Sequence, residues 1–326
     1  MRRLRALPVD GFLLLLAATV ALAALLPANG SAGEAVSGAA KAAIAVLFFL
    51  YGARLSPQQA WHGVRQWRLH LLVLATTFVI FPLLGLACWA LVPALLTDDL
   101  YAGLLFLCLV PSTVQSSIAF TSIARGHVSA AIVSASLSNI LGVVLTPLLV
   151  VLLMNHPGAP PVTGRALGDI VVQLLLPFAA GQLARPWIAA ALTRHAALLK
   201  VVDRGSILLV VYTAFSMGVI EGIWLSVGGW QLITVVVVAT VLLAVVLVVT
   251  WLIGGWAGFE RGDKIVLLFC GSKKSLASGL PMALVLFPSA TVGLSMLPLM
   301  IFHQIQLVVC SVIASRLGRQ QLEEVA

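Results

Sequence analysis

The sequence predicts an all-α integral membrane protein of ten transmembrane helices, arranged as two five-helix repeats of opposite orientation. Three observations predict it. Of its 326 residues, 61% are hydrophobic and only 9% charged, whereas a soluble domain carries about 25% charged residues. The apolar residues form long runs, such as 235–253, that hold no ionisable side chain. A run of about 20 apolar residues matches the roughly 30 Å hydrocarbon core, where backbone hydrogen bonds must close within a helix or a barrel. The basic residues fall between these runs, where they act as determinants of topology.

Taken in order, the spans run roughly 11–27, 37–55, 70–92, 100–124, 128–154, 167–187, 204–225, 231–257, 264–287 and 292–315, with Pro27, Pro57, Pro93, Pro157, Pro160 and Pro161 marking ends. The first span follows Arg2, Arg3 and Arg5 and has some features of a signal peptide. Its apolar run continues to Leu26, and retaining it gives an even, charge-consistent count. With the N-terminus inside, the cytoplasmic segments collect Arg54, Arg65, Arg68, Arg125, Arg185, Arg194, Lys200, Arg204, Arg261, Lys264, Arg316 and Arg319. The outer side holds Lys41 and Arg165 among Glu34, Asp98, Asp99, Asp169 and Glu221. This asymmetry predicts a multi-pass protein of a bacterial inner membrane with both termini cytoplasmic. The net charge of +8 is spread over these segments, which argues against a nucleic-acid partner. Cys88, Cys108, Cys270 and Cys310 lie in apolar stretches without metal-ligand spacing, and read as small packing residues.

Spans four and nine carry polar, helix-breaking islands. In span four these are Pro111, Ser112, Thr113, Gln115, Ser116 and Ser117; in span nine, Gly271, Ser272, Lys273, Lys274 and Ser275, followed by Ser278, Gly279 and Pro281. Proline removes a backbone donor, and hydroxyl side chains can satisfy the groups it frees. Pro111 lies eleven residues into span four and Lys273 nine into span nine, roughly 16 and 14 Å deep from opposite faces. Each span is fourth in its set of five. Leu104-Leu-Phe106 resembles Leu267-Leu-Phe269, and Thr146-Pro-Leu-Leu149 resembles Leu297-Pro-Leu-Met300. An odd repeat makes the second half enter from the other side, the pattern of an inverted-repeat transporter, divided here into 1–157 and 158–326.

Lys273 and Lys274 are the most informative residues. A lysine at the bilayer centre costs about 2.5–3.5 kcal/mol on insertion scales, and the spans offer no carboxylate partner at that depth. Stabilisation must come from carbonyl ends, hydroxyls, amides, water or a bound anion. Adjacent helical residues diverge, so one ammonium is expected to be structural and the other to face the pathway, where a proton-exchanging lysine could couple transport. The carrier reading expects these groups to be exposed to a traversable cavity. His303, Gln304 and Gln306 in span ten, and Ser134, Ser136, Ser138 and Asn139 in span five, lie at similar depth. Each is a candidate for the pathway or for helix-to-helix hydrogen bonding.

At these residues the sequence resembles the bile acid:sodium symporter superfamily, and within it the sodium/bile acid cotransporter 7-like branch. The likeness is carried by Pro111-Ser-Thr-Val-Gln-Ser-Ser-Ile-Ala-Phe-Thr-Ser-Ile-Ala-Arg-Gly126, by Cys270-Gly-Ser-Lys-Lys-Ser-Leu-Ala-Ser-Gly-Leu-Pro281 and by His303-Gln-Ile-Gln-Leu307. The resemblance implies that spans four and nine are unwound and crossed. It implies a core of spans three to five and eight to ten, a panel of spans one, two, six and seven, and a substrate that binds between them and moves by alternating access. Sodium-coupled relatives carry a Glu-Val-Gly-Met-Gln-Asn type stretch in span nine. Matching it places Phe269 at the Glu, Lys273 at the Gln and Lys274 at the Asn. The Ser-Asn pair of span four becomes Ser116-Ser117, and the ligand pair of span five becomes Ala130 and Ser134. Exchanging a carboxylate for an ammonium repels Na⁺ at short range. The usual sodium sites are therefore expected to be absent, with Lys273 standing in for the cation or exchanging H⁺.

The sequence thus points to a secondary transporter of a small, bile-acid-like organic anion, monomeric in its lipid bilayer and without a cofactor. Other readings are a proton or cation antiporter and a membrane regulator of envelope or ion homeostasis. An intramembrane enzyme would need paired carboxylates, metal ligands or an activated nucleophile, and ATP-driven transport a Gly-rich phosphate loop. No such cluster lies within the spans, and no such loop outside the membrane.

Overall fold

The computed structural model describes residues 11–54, 66–154, 168, 171–220, 222, 228–287 and 292–325, and these are overwhelmingly helical. In chain order the helices are α1 (Gly11–Leu25), α2 (Gly30–Arg54), α3 (Trp67–Leu91), α4 (Asp98–Leu109), α5 (Gln115–Ile123), α6 (Val128–Leu153), α7 (Leu176–Arg194, after a π turn Val171–Leu175), α8 (Ala196–Ile220), α9 (Gly229–Trp256), α10 (Arg261–Gly271), α11 (Leu276–Leu286) and α12 (Val292–Val325). Arg2, Arg3, Arg5, Arg65, Arg165, Asp169 and Glu221, with Pro57, Pro157, Pro160 and Pro161, lie outside the described residues.

Among the described residues, five helices are long and apolar enough to cross a membrane: Gly30–Arg54, Trp67–Leu91, Val128–Leu153, Gly229–Trp256 and Val292–Gln320. Their outer faces are apolar. Leu25, Trp187 and Trp256 are 78, 80 and 83% exposed, whereas Lys273 and Lys274 are fully buried. This reversal of the usual order suits a lipid solvent, and the chain is a multi-pass membrane protein.

The expected fourth and ninth spans are each two half-helices, α4–α5 and α10–α11, separated at 110–114 and 272–275. Elsewhere the helices outrun the expected boundaries. α2 begins at Gly30 rather than 37, which puts Lys41 inside the helix rather than at its outer end; α7 reaches Arg194, α8 begins at Ala196, and α12 runs on to Val325. The cause is common to all of these: charged and small polar residues mark where lipid ends, not where helical hydrogen bonding ends.

Two packing groups follow from the contacts. Helices α1, α2, α7 and α8 pack among themselves; α3 to α6 pack with α9 to α12; and α8 meets α11 and α12 where the groups join. In the first group α2 and α7 approach at backbone distance. Gly52 faces the Phe178 carbonyl and Gly181 the Phe49 carbonyl, so neither position has room for a Cβ. Small residues permit such contact where no hydrophobic effect drives helices together. In the second group, chain ends rich in charge meet at one end of the bundle: Arg68 donates to the Ala257 carbonyl, Arg261 to that of Leu317, and His127 lies between Glu260 and Asp263. All four cysteines are free, with Cys108, Cys270 and Cys310 buried and Cys88 half-buried.

Gly181→Val is expected to lower the thermal stability of the purified protein in detergent by about 1–3 kcal/mol through overpacking. Gly205→Ala, on open helix surface with nothing within 4 Å of an added Cβ, should leave it unchanged or slightly raised. Equal unfolding temperatures for the two variants would contradict the close α2–α7 contact.

Candidate functional site

The two helix breaks meet. Beyond Leu109 the backbone of Val110 turns extended (φ −75°, ψ 156°) and α4 stops. Beyond Gly271 α10 stops, and Ser275 in extended conformation opens α11, its hydroxyl accepting from the Ser278 N–H. The Ser275 N–H donates to the Pro111 carbonyl at 2.8 Å, joining one break to the other. α4 spans twelve residues and α10 eleven, so each break lies roughly 16–18 Å from the start of its helix.

A broken helix leaves carbonyls without partners and a partial negative charge at its C-terminus. At the end of α10, Ser117 Oγ donates to Phe269 O (3.0 Å), Ser112 Oγ to Cys270 O (2.6 Å) and Ser272 Oγ to Leu268 O. At the end of α4, Thr146 Oγ1 donates to Leu109 O at 2.9 Å. The Lys274 ammonium takes the rest of that end: Nζ donates to Cys108 O and Val110 O, each at 2.8 Å, and to Thr77 O at 2.9 Å. The ring of Phe81 lies 4.2 Å below it.

The Thr77 carbonyl is available for a local reason. Residues 76–80 form a π turn, in which the Phe81 N–H bonds Thr76 O. In that register the next donor, to Thr77 O, would be residue 82, which is proline and has no N–H. The lysine fills a place the backbone cannot. Gln306 fixes the other side of the residue: its Oε1 accepts from the Lys274 N–H and its Nε2 donates to the Lys274 carbonyl, both at 2.9 Å. His303 Nδ1 lies 2.8 Å from the same Nε2.

Lys273 is different. Its Nζ is fully buried and has no hydrogen-bond partner among the described residues. It sits 4.1 Å from the centroid of Phe120 and 5.4 Å from that of Phe269, facing both rings, an arrangement that cation–π attraction supports.

Of the residues singled out in the sequence, most converge here. Ser112, Thr113, Ser117, Ser134, Gly271, Ser272, Ser275, Ser278 and Gln306 are buried, as is Pro111. Asn139 ties the breaks to α6, donating to Ser112 O (2.7 Å) and accepting from Ser278 Oγ (2.8 Å), while Ser138 Oγ accepts from the Ser112 N–H. Thr113 bonds Ser116 and Ser117. Gln115 is exposed, and Ser116, Asn139, His303 and Gln304 are half-buried. One expectation is corrected. Neither ammonium is exposed to a traversable cavity: both lysines are sealed, because helix carbonyls and aromatic faces close over them. Of the pair, Lys274 is the ammonium held by carbonyls, and Lys273, expected to stand in for the cation or to exchange H⁺, takes no hydrogen bond among the described residues.

Sequence reading missed the π turn with Pro82, the Thr146 cap and His70, which bonds Ser134 at 2.7 Å. Of these only the proline, five residues after Thr77, left a readable signal. It also missed His127, Glu260 and Asp263, whose ligating atoms lie within 4.8 Å of one another. The His127 ring lies over Gly262, where no Cβ fits, with Nδ1 2.8 Å from Asp263 Oδ1 and Nε2 3.5 Å from Glu260 Oε1.

Comparison with known proteins gives a consistent result. The profile of the SBF-like CPA transporter family matches residues 10–319. An uncharacterized protein of Pseudomonas aeruginosa is 53% identical over 321 residues, 98% of this chain and 96% of that one. The candidate symporter YfeH of Escherichia coli is 50% identical, over 96% of this chain and 94% of its own length. Sodium/bile acid cotransporter 7 of Danio rerio is 26% identical, over 83% of this chain and 81% of its own.

Lys274→Met orphans three buried carbonyls, at about 1–3 kcal/mol each. It should lower the unfolding temperature in detergent severely, whereas Lys273→Met, which removes no hydrogen bond, should shift stability by less than about 1 kcal/mol or raise it. Comparable losses in the two variants would show that the hydrogen bonds at Lys274 do not hold the crossing.

Proposed function

We propose, from the premise that this chain belongs to the SBF-like CPA transporter family, that it is a secondary carrier of a small organic anion that works without sodium at the helix crossing. The observation that carries the second half is the seat of Lys274. Its –NH₃⁺ lies among three carbonyl oxygens at the negative end of α4, the arrangement that would otherwise attract a metal cation. An ion entering there would have to displace a covalently held charge.

In this reading the ten spans form two inverted repeats, 1–157 and 158–326. Their equivalent breaks follow Leu104-Leu-Phe106 and Leu267-Leu-Phe269, and all six of these residues are buried. The α1, α2, α7, α8 group is the panel and the remaining helices the core, with the positive end of the bundle on the cytoplasmic side of an inner membrane. The substrate is an organic anion of the carboxylate or sulfate class, for which the bile acid named in the more distant relatives is the first probe. The exposed and half-buried polar groups beside the crossing (Gln115, Ser116, Asn139, His303 and Gln304) are the ones it would meet. Lys273, held by no hydrogen bond, is the group able to gain and lose a proton as the surroundings of the crossing change. A proton is accordingly the coupling ion, and the chain acts as a monomer.

Reconstitution into liposomes with labelled taurocholate and a panel of aromatic carboxylates and sulfates tests this. Uptake should respond to an imposed pH gradient and change less than about twofold when Na⁺ replaces K⁺. Lys273→Met should remove the response to pH while leaving passive exchange of the anion. Saturable stimulation by Na⁺ would refute the proposal. Movement of cations against protons, without anions, would make the chain an antiporter, and no solute movement at all would favour a regulator.

A further inference from the structure

A cleft with both apolar and polar lining opens in the first packing group, away from the crossing. It lies between the first half of α2 and the last turns of α8, and holds a volume of about 480 Å³, within the range of ligand sites for small molecules. Asn29, Glu34, Ser37 and Lys41 supply one wall, Thr213 and Ser216 the other. Glycine keeps it open: an added Cβ at Gly30 or Gly38 would meet nothing within 4 Å.

The position of Lys41 makes this cleft informative. It is eleven residues from the start of α2 and thirteen from its end at Arg54, roughly 16 and 20 Å along the axis, and its side chain is exposed. An ammonium on a membrane-crossing helix is costly against lipid. It is stable only where water or a ligand reaches it, and the cleft provides that space. Glu34 lies two turns nearer the start of the helix, about 10 Å away along the axis. The two charges are therefore separated along the cleft. Met217 and Ile220 add apolar lining on the α8 side.

We infer that this cleft binds an amphipathic organic anion, its single carboxylate or sulfonate at Lys41 and its apolar body along α8, as the site of first capture for the solute. The inference rests on the carrier reading above but concerns a different set of residues from those at the crossing. The probe is taurocholate below its micellar concentration, with the full chain in lipid nanodiscs. In a Cys88→Ala, Ser37→Cys chain, a water-soluble anionic maleimide should label position 37, and taurocholate should slow that labelling. Lys41→Gln should raise the half-protecting concentration at least tenfold and Lys41→Arg restore it. Gly38→Leu, which keeps the charge but fills the space, should weaken protection similarly. Failure of the reagent to reach position 37, no protection by taurocholate, or protection unchanged by Lys41→Gln and Gly38→Leu would each overturn the inference. Taurocholate uptake by proteoliposomes in parallel keeps the two readings apart. Uptake with a Lys41-independent cleft removes the capture site and leaves the carrier; Lys41-dependent protection without uptake retains the site and removes the carrier role for this anion.

Discussion

The crossing depends on one charge with three neighbours. An ammonium group donates three hydrogen bonds and accepts none, and Lys274 directs all three to backbone carbonyls from two helices. Two local events left these carbonyls open. Thr77 is freed by the π turn before Pro82, and Cys108 and Val110 by the end of α4. In lipid these groups have no water to turn to, so the break in one helix is stable because a residue from the other break completes it.

The same logic runs in the opposite direction through the serines. Ser112 and Ser117, from the first break, cover the carbonyl end of α10, while Lys274, from the second, covers the carbonyl end of α4. Asn139 and Gln306 then lock each break to a continuous helix, α6 and α12. Hydrogen bonds within such networks reinforce one another in a low dielectric. The hydrogen-bonded residues at the two breaks are thus a connected set, and removing one of them leaves a buried partner unsatisfied.

Much of this was legible beforehand. Proline, serine and glycine in an apolar run reveal a break because their backbone chemistry is local, and Lys273-Lys274 signals a site because burying charge is expensive wherever it happens. The half of the pair that plays the structural part was not legible. That choice depends on which neighbour faces a free carbonyl, and Thr77 is nearly two hundred residues away in sequence. The α2 boundary was misjudged because Gly30-Ser-Ala-Gly-Glu is helical yet not apolar, and the open space around Lys41 is a property of packing that hydropathy does not encode. The His127, Glu260 and Asp263 cluster was invisible for the same reason, being assembled from two distant helix starts.

The seam between the two packing groups has a contrasting character. The hydrogen bonds traced above stay within one group or the other, while α8, α11 and α12 meet and all contribute to one buried apolar cluster, with Phe215, Leu280 and Leu299 among its members. Directional bonds resist displacement because they break one by one; dispersion contacts can be exchanged for similar ones a few ångströms further on. The molecule is therefore tied by directional bonds around its buried charges and by apolar packing at the seam. The costly polar centre thus lies wholly inside one packing group, and no part of it is shared with the other.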